Sequence, residues 1–182
     1  MIRATDNLRS DHLLVARGLR VLAAIAAHVR SGGAFPATDC AVALRFLREF
    51  VIGVHLHKES SLVCPALAMH GSEHTAALVG DVLRVHDEIT ELTHSLVLFW
   101  EPVSELSSEE QAGFADTVDA VVGRLRRLAE LEEVELFPAC DAGVPADDQL
   151  GWAREFEGIE RGRSSRADWT ARLAPLEVRW LD

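Results

Sequence analysis

The sequence contains no tyrosine, and its other aromatic residues are seven phenylalanines and four tryptophans among 182 residues. Strands of β-sandwiches and β-barrels draw on aromatic and β-branched residues, so this scarcity disfavours an all-β fold. Alanine, leucine, valine, arginine and glutamate dominate instead, and most of these favour helices. The composition therefore predicts an all-α fold, and the length suits one domain that buries its own core.

Cysteine is also scarce, and Cys40, Cys64 and Cys140 form no CxxC spacing. An odd number of cysteines without that spacing supports neither a disulfide framework nor a zinc knuckle. We interpret all three as packed free thiols rather than redox groups.

Basic residues are outnumbered, because 18 lysines and arginines face 29 aspartates and glutamates, for a formal net charge of −11. Such a surface repels a nucleic-acid backbone and an anionic membrane. The N-terminal residues lack an apolar signal region. The sequence also has no run of about 18 uncharged apolar residues, which is the length needed to span a bilayer. We therefore expect a cytoplasmic protein that binds neither nucleic acid nor membrane.

Apolar residues at intervals of three and four predict two amphipathic helices in the first half of the chain. The first covers residues 6–28 and stops at a Ser-Gly-Gly sequence. The second begins at a cap on Thr38 or Asp39 and should run to about Leu62.

The same spacing predicts two helices in the second half. One ends before Pro102, and the other starts at Ser107 or Ser108, which with Glu110 resembles a capping box, and ends at Pro138. Four long helices with short links predict an up-down-up-down four-helix bundle over residues 1–144.

Residues 145–182 form a C-terminal extension of different character. A short helix is predicted around Trp152 and Phe156, followed by a linker at residues 158–165 and a helical tail. Apolar residues recur in that tail near helical spacing. They are Trp169, Leu173, Leu176 and Trp180. We expect the extension to pack on its own bundle in preference to a partner subunit.

Histidine is absent after His94, and the first half contains His55 and Glu59 four residues apart. On a helix both project from one face, where they can reach a common metal ion. An imidazole and a carboxylate able to bridge two ions suit iron or manganese. The pair alone is weak evidence, but apolar neighbours on the same side predict that both side chains face inward, and a buried glutamate needs a partner.

An internal repeat strengthens this hypothesis. His12 precedes Glu59 by 47 residues, and His86 precedes Glu132 by 46 residues. Each half then offers a helical hairpin with one lone histidine and one carboxylate, so their association would bring four helices to one centre. The repeat fails at Leu128, where a histidine would match His55.

These motifs together resemble the hemerythrin-like HHE cation-binding family over about residues 6–141. The sequences that carry the resemblance are Asp11-His12, His55-Leu56-His57-Lys58-Glu59 with Cys64-Pro65, His86-Asp87, and Glu132-Glu133-Val134-Glu135-Leu136-Phe137-Pro138. The resemblance implies two iron ions bridged by two glutamates.

By position, the resemblance implies that His12, His55 and His86 are terminal ligands and that Glu59 and Glu132 bridge. Leu128 carries no role. The missing ligand position could stay open for water or substrate, be filled by Glu135 or His94, or leave a site for one metal ion only. Manganese or zinc would fit less well than iron.

The remaining histidines and acidic residues have simpler interpretations. His57 should point outward from the bundle, His94 could share the face of His86, and His28, His70 and His74 are expected on the surface. The other glutamates near Glu132, namely Glu130, Glu133 and Glu135, are interpreted as a solvated face.

Three functions stay open from the sequence. The first is an iron protein that binds or senses O2 or NO, and the second is a redox enzyme acting on peroxide or a small organic substrate at a site opened by Leu128. The third is a degenerate bundle that serves interaction. No catalytic residue is assigned, and the protein is expected to be a monomer or a homodimer.

Overall fold

The computed structural model describes residues 3–101, 103–163 and 165–182, and every element of secondary structure in these ranges is helical. The α-helices are α1 (Ala4–Arg30), α2 (Ala37–Phe46), α3 (Cys64–His70), α4 (Glu73–Trp100), α5 (Ser108–Leu131), α6 (Phe137–Gly143), α7 (Ala146–Arg161) and α8 (Arg166–Leu181). Three segments are π-helical: π1 (Leu47–Leu56), π2 (Glu59–Val63) and π3 (Glu132–Leu136). The predicted all-α fold is confirmed.

The second long helix changes from α to π before a proline. Pro65 lies in the first turn of α3, and proline lacks an N–H while its ring clashes with the carbonyl four residues earlier. The preceding turn is wider, so that the Cys64 N–H donates to the carbonyl of Glu59, five residues back. The chain therefore continues as a helix past the predicted end at Leu62 and stops only at His70.

The second half repeats this arrangement. Pro138 lies in the first turn of α6, and the Phe137 N–H donates to the carbonyl of Glu132 across the π3 turn. Each glutamate of the sequence repeat thus opens a π-helical turn that ends at a proline-containing helix.

The predicted cap of the second helix is wrong. The helix begins at Ala37, and neither Thr38 nor Asp39 caps it. Instead the buried carboxylate of Asp39 accepts hydrogen bonds from Arg179 Nη1 at 2.6 Å and from Trp180 Nε1 at 2.9 Å. The side chain is used in tertiary packing against α8, which no local pattern reveals.

The capping box predicted for α5 is confirmed. The Ser107 hydroxyl accepts from the Glu110 N–H at 3.3 Å, and the Glu110 carboxylate accepts from the Ser107 N–H at 2.8 Å. Both bonds satisfy N–H groups that a helix start leaves free. Pro102, predicted to follow the third helix, lies outside the described residues.

The long helical stretches enclose one apolar core. Helix α1 packs on α5 and α2, and α4 packs on α5, α3 and π1. The largest buried side chains in the core include Leu8, Leu22, Ile25, Leu44, Phe46, Leu47, Phe50, Phe114 and Phe137. Each contributes about 1.5–3 kcal/mol by leaving water.

The C-terminal extension lies against α1 through α7 and α8. Trp169 is buried with its ring 5.4 Å from that of Phe46, and Arg17 pairs with Glu177 at 2.6 Å. Helix α7 runs to Arg161, so the predicted linker at residues 158–165 is shorter than expected, and its Ser164 lies outside the described residues.

Helix α1 is long and apolar enough to cross a membrane by length and composition alone. It contains charged residues, so it is not an uncharged apolar run of the kind that the sequence lacks. Of its most apolar window, 56% is buried inside the protein. A core helix of a bundle meets the same test, so the property is weak evidence for a membrane.

Gly18→Ala should destabilise the fold. A Cβ atom at Gly18 would lie 2.1 Å from the ring of Phe46, which is itself packed against Phe50 and Trp169 and has no room to retreat. We expect the free energy of unfolding to fall by about 1–3 kcal/mol in urea denaturation of the metal-free protein.

Gly80→Ala is the matched control, because Gly80 lies inside α4 with nothing within 4 Å of an added Cβ. It should stabilise the protein by about 0.5–1 kcal/mol. An equal response of the two variants would contradict the packing argument.

Candidate metal centre

The five side chains predicted as metal ligands form one cluster. They are His12 from α1, His55 from π1, Glu59 from π2, His86 from α4 and Glu132 from π3. Ligand atoms of His12, His55, Glu59 and Glu132 all lie within 4.8 Å of one another. His86 adjoins them through Nε2, which is 3.2 Å from Glu59 Oε2.

The two carboxylates lie between two groups of imidazoles. Glu59 Oε1 is 3.8 Å from His55 Nε2, whereas its Oε2 faces His86. Glu132 Oε2 is 2.9 Å from His12 Nε2 and 3.9 Å from His55 Nε2, whereas its Oε1 is 3.7 Å from His86 Nε2. Each carboxylate thus presents one oxygen to His12 or His55 and the other to His86.

The cluster contains buried polar atoms that need a cation. Glu59 and Glu132 are both 0% exposed. Both oxygens of Glu59, one oxygen of Glu132 and Nε2 of His86 have no hydrogen-bond partner among the described residues. An unpaired buried carboxylate costs several kcal/mol, and a metal ion would satisfy these atoms together. Imidazole with carboxylate is a donor set that suits iron or manganese, so the residues fit a metal centre.

The charges of the cluster shift its pKa values in the metal-free protein. Burial raises the pKa of Glu59, and the charge of Glu132 raises it further. Burial acts in the same direction on Glu132, but its contacts with His12, His55 and His86, of which the His12 contact is a hydrogen bond of 2.9 Å, hold its pKa well below the usual range.

For the imidazoles, burial and the neighbouring carboxylates shift the pKa in opposite directions. Burial alone would lower the pKa of His86, but Glu132 and Glu59 outweigh it and raise that pKa to about 9. Burial likewise opposes the protonation of His55, and Glu59, Asp11 and Glu132 raise its pKa well above 6.5. Without metal, protons on these rings therefore balance the buried carboxylates.

Glu133 is half-exposed, in keeping with a solvated face, but it also contacts the centre, which that interpretation missed. Its carboxylate accepts a hydrogen bond from His12 Nδ1 at 3.0 Å and another from Arg9 Nε at 2.9 Å. A carboxylate on the outer nitrogen fixes the ring and leaves Nε2 for a metal.

Two charged residues not assigned from the sequence lie behind His55. Asp11 and Lys58 are both 0% exposed, and Lys58 Nζ donates to Asp11 Oδ2 at 2.8 Å. The same oxygen lies 3.7 Å from His55 Nδ1. Burial raises the pKa of Asp11, but His55 and Lys58 outweigh it and lower that pKa to about 2. The spacing of Lys58, three residues after His55, was a usable signal because such residues share a helix face.

Neither side chain suggested as a substitute for the missing histidine reaches the cluster. Leu128 is buried on α5, whereas His94 and Glu135 are exposed. Thr93, not His94, is buried on α4, because seven residues rather than eight complete about two turns from His86. The position of Leu128 therefore provides no donor.

The other histidines and the cysteines lie as expected. His57, His28, His70 and His74 are exposed. The three cysteines are buried and unpaired, and burial raises the pKa of each thiol, to about 12 for Cys40 and Cys140. The free-thiol interpretation agrees with this burial.

A comparison with protein families matches residues 3–140 to a family described as the hemerythrin HHE cation binding domain. The match covers both hairpins of the repeat and every residue of the cluster. No curated protein and no solved structure matches the chain.

Glu132→Gln should weaken metal binding strongly, because Glu132 faces all three imidazoles of the cluster. We expect the affinity for ferrous iron, measured anaerobically against a chelator, to fall by more than about 100-fold, beyond the range for outer partners of a ligand. Glu135→Gln removes an exposed carboxylate three residues away and should leave the affinity unchanged. A similar loss in both variants would indicate a general charge effect.

Metal binding should release protons at neutral pH. A metal ion and a proton compete for the same imidazole nitrogen, and the pKa of His86 is raised to about 9. The affinity for metal should therefore rise as the pH increases from 6 to about 9. Calorimetry in buffers of different ionisation enthalpy measures the proton count.

His94→Ala is the control for this measurement, because His94 is exposed and should leave the proton count unchanged. Metal binding without proton release at pH 7 would contradict the protonated state of the imidazoles.

Proposed function

Because the chain belongs to the hemerythrin HHE cation-binding domain family, we propose that its cluster holds two iron ions and reversibly binds O2 or NO. The observation that carries this proposal is the placement of the carboxylate oxygens. Glu59 and Glu132 each direct one oxygen toward His86 and the other toward His12 or His55. Two carboxylates in this arrangement can bridge two ions.

The two proposed iron positions differ in their donors. The first would have His12, His55 and one oxygen from each carboxylate. The second would have His86 and the remaining oxygens, since Leu128 offers no donor. Iron takes up more ligands than three, so an iron ion at the second position would keep open coordination positions for a small ligand.

A cavity of about 210 Å³ adjoins His86, the imidazole of the second position. It is lined in part by Ile52, Leu56, Leu83 and His86. One water molecule occupies about 30 Å³ of the liquid, so a diatomic molecule or a peroxide has room to enter. Bound iron would supply electrons and an open coordination position. The imidazoles of the chain, and the carboxylates near their outer nitrogens, would orient that coordination position.

A redox enzyme acting on peroxide or a small organic substrate is the second candidate. The same cavity is lined by His57, Ser60, Asp87 and Thr90, whose polar groups could carry protons to or from a reacting ligand. Proton donors beside an open metal position favour chemistry over reversible binding.

Anaerobic loading with ferrous iron tests the proposal. We expect two irons per chain and an absorption band that appears with O2 or NO and disappears when the gas is removed. His86→Ala should retain one iron and lose the band, because it removes the imidazole of the second position. Leu128→His should tighten the second iron and weaken gas binding, because a new donor closes an open position.

The alternatives give different results in the same samples. Steady consumption of peroxide without a reversible band would favour the enzyme. A protein that retains no iron after loading would exclude both functions.

A further inference from the structure

The buried ammonium group of Lys58 has a complete set of partners. Its Nζ donates to Asn7 Oδ1 at 2.8 Å, to Asp11 Oδ2 at 2.8 Å and to Glu160 Oε1 at 2.7 Å. Lysine is almost never fully buried unless it is paired, and here three acceptors match the three N–H donors. Glu160, the second carboxylate in this set, belongs to α7 of the C-terminal extension.

A second residue of the extension fixes the other side of Asp11. Arg166, the first residue of α8, donates from Nε to Asp11 Oδ1 at 2.9 Å and from Nη2 to the Asn7 carbonyl at 3.1 Å. Asp11 is therefore held at both oxygens, by Lys58 at Oδ2 and by Arg166 at Oδ1.

A third residue of the extension approaches the helix that carries His55. A Cβ atom on Gly53 would lie 2.7 Å from Arg163 Nη1, so the guanidinium packs closely against this part of the helix. Glu160, Arg163 and Arg166 all lie beyond residue 140, where the family match ends. One partner in each of these contacts therefore lies outside the matched domain.

The network ends at a metal ligand. Asp11 Oδ2 lies 3.7 Å from His55 Nδ1, while Nε2 of the same ring faces Glu59 and Glu132. A movement of about 1 Å would make the Asp11 contact a hydrogen bond. His55 Nδ1 has no hydrogen-bond partner among the described residues. The partner of the outer nitrogen sets the orientation of a ligating imidazole, and Asp11 is placed to become that partner.

We propose that the C-terminal extension completes the metal centre from outside, with Glu160 and Arg166 as positioning residues that hold Asp11 and Lys58 behind His55. This inference rests on the proposed metal-binding function. It assigns the extension a role in the properties of the centre besides its packing on α1.

Glu160→Gln tests the inference, with Glu177→Gln as the matched control. Both carboxylates belong to the extension, pair with a cation of the bundle and are similarly shielded, at 17% and 20% exposure. Only Glu160 contacts the network behind His55. We expect Glu160→Gln to lower the affinity for ferrous iron by about 10-fold, in the range found for outer partners of metal ligands, and Glu177→Gln to leave it unchanged.

A readout without metal separates this inference from the proposed function. In histidine-labelled, metal-free protein, Glu160→Gln should shift the ring nitrogen resonances of His55 more than those of His86. Arg166→Gln should do the same, which keeps the test usable if one variant fails to fold. Glu160→Asp should restore part of the wild-type spectrum because it returns the charge.

Equal iron affinities in the Glu160→Gln and Glu177→Gln variants, with unchanged His55 resonances, would overturn the inference. A protein whose His55 resonances respond as expected but that binds no iron would overturn the proposed function and leave the positioning role intact.

Discussion

The structure depends on two fully buried carboxylates, Glu59 and Glu132, that lie close together in the core. Three of their four oxygens have no hydrogen-bond partner among the described residues. Buried negative charge of this kind is tolerated only when positive charge is brought to it. The imidazoles of His55 and His86 supply that charge as protons in the metal-free protein, and a metal supplies it when bound. The raised pKa of His86 and the lowered pKa of Glu132 are two consequences of the same arrangement.

The backbone supports this arrangement in the same way twice. Each glutamate begins a π-helical turn, and each turn precedes a proline-containing helix. Widened turns of this type occur frequently at functional sites. The proline that prevents an ordinary α-helical turn thus lies close to the carboxylate that contributes to the centre.

The centre is symmetric in its carboxylates and asymmetric in its surroundings. The side of His12 and His55 has two imidazoles with charged residues behind them, Glu133 behind His12 and Asp11 behind His55. The side of His86 has one imidazole, an aliphatic Leu128 and a cavity. A cavity adjoins each side, because one of about 300 Å³ is lined in part by His12, so the two sides differ in their imidazoles and in the charged residues behind them. The extension adds to this difference, because its charges reach Asp11 and no described contact brings them to His86.

The sequence by itself determined the helical class, the α5 capping box and the spacing that places histidines and glutamates on common helix faces. These follow from periodicity and from local hydrogen bonding, which neighbouring residues decide. It did not determine that the second helix would pass through Pro65, because a proline can either end a helix or follow a widened turn that lets the helix continue. It also missed the contact of Glu133 with His12, and it assigned Asp39 to a helix cap although the Asp39 carboxylate packs against α8.

Only the tertiary structure decided which carboxylate oxygen faces which imidazole and which charges stand behind the ligands. Lys58 is buried because Asn7, Asp11 and Glu160 converge on it from other helices. Those partners are far apart in the chain, so no local pattern could reveal them. The residue types needed for a metal centre are written in the sequence, whereas the charged residues that stand behind His12 and His55 are brought there by packing between helices.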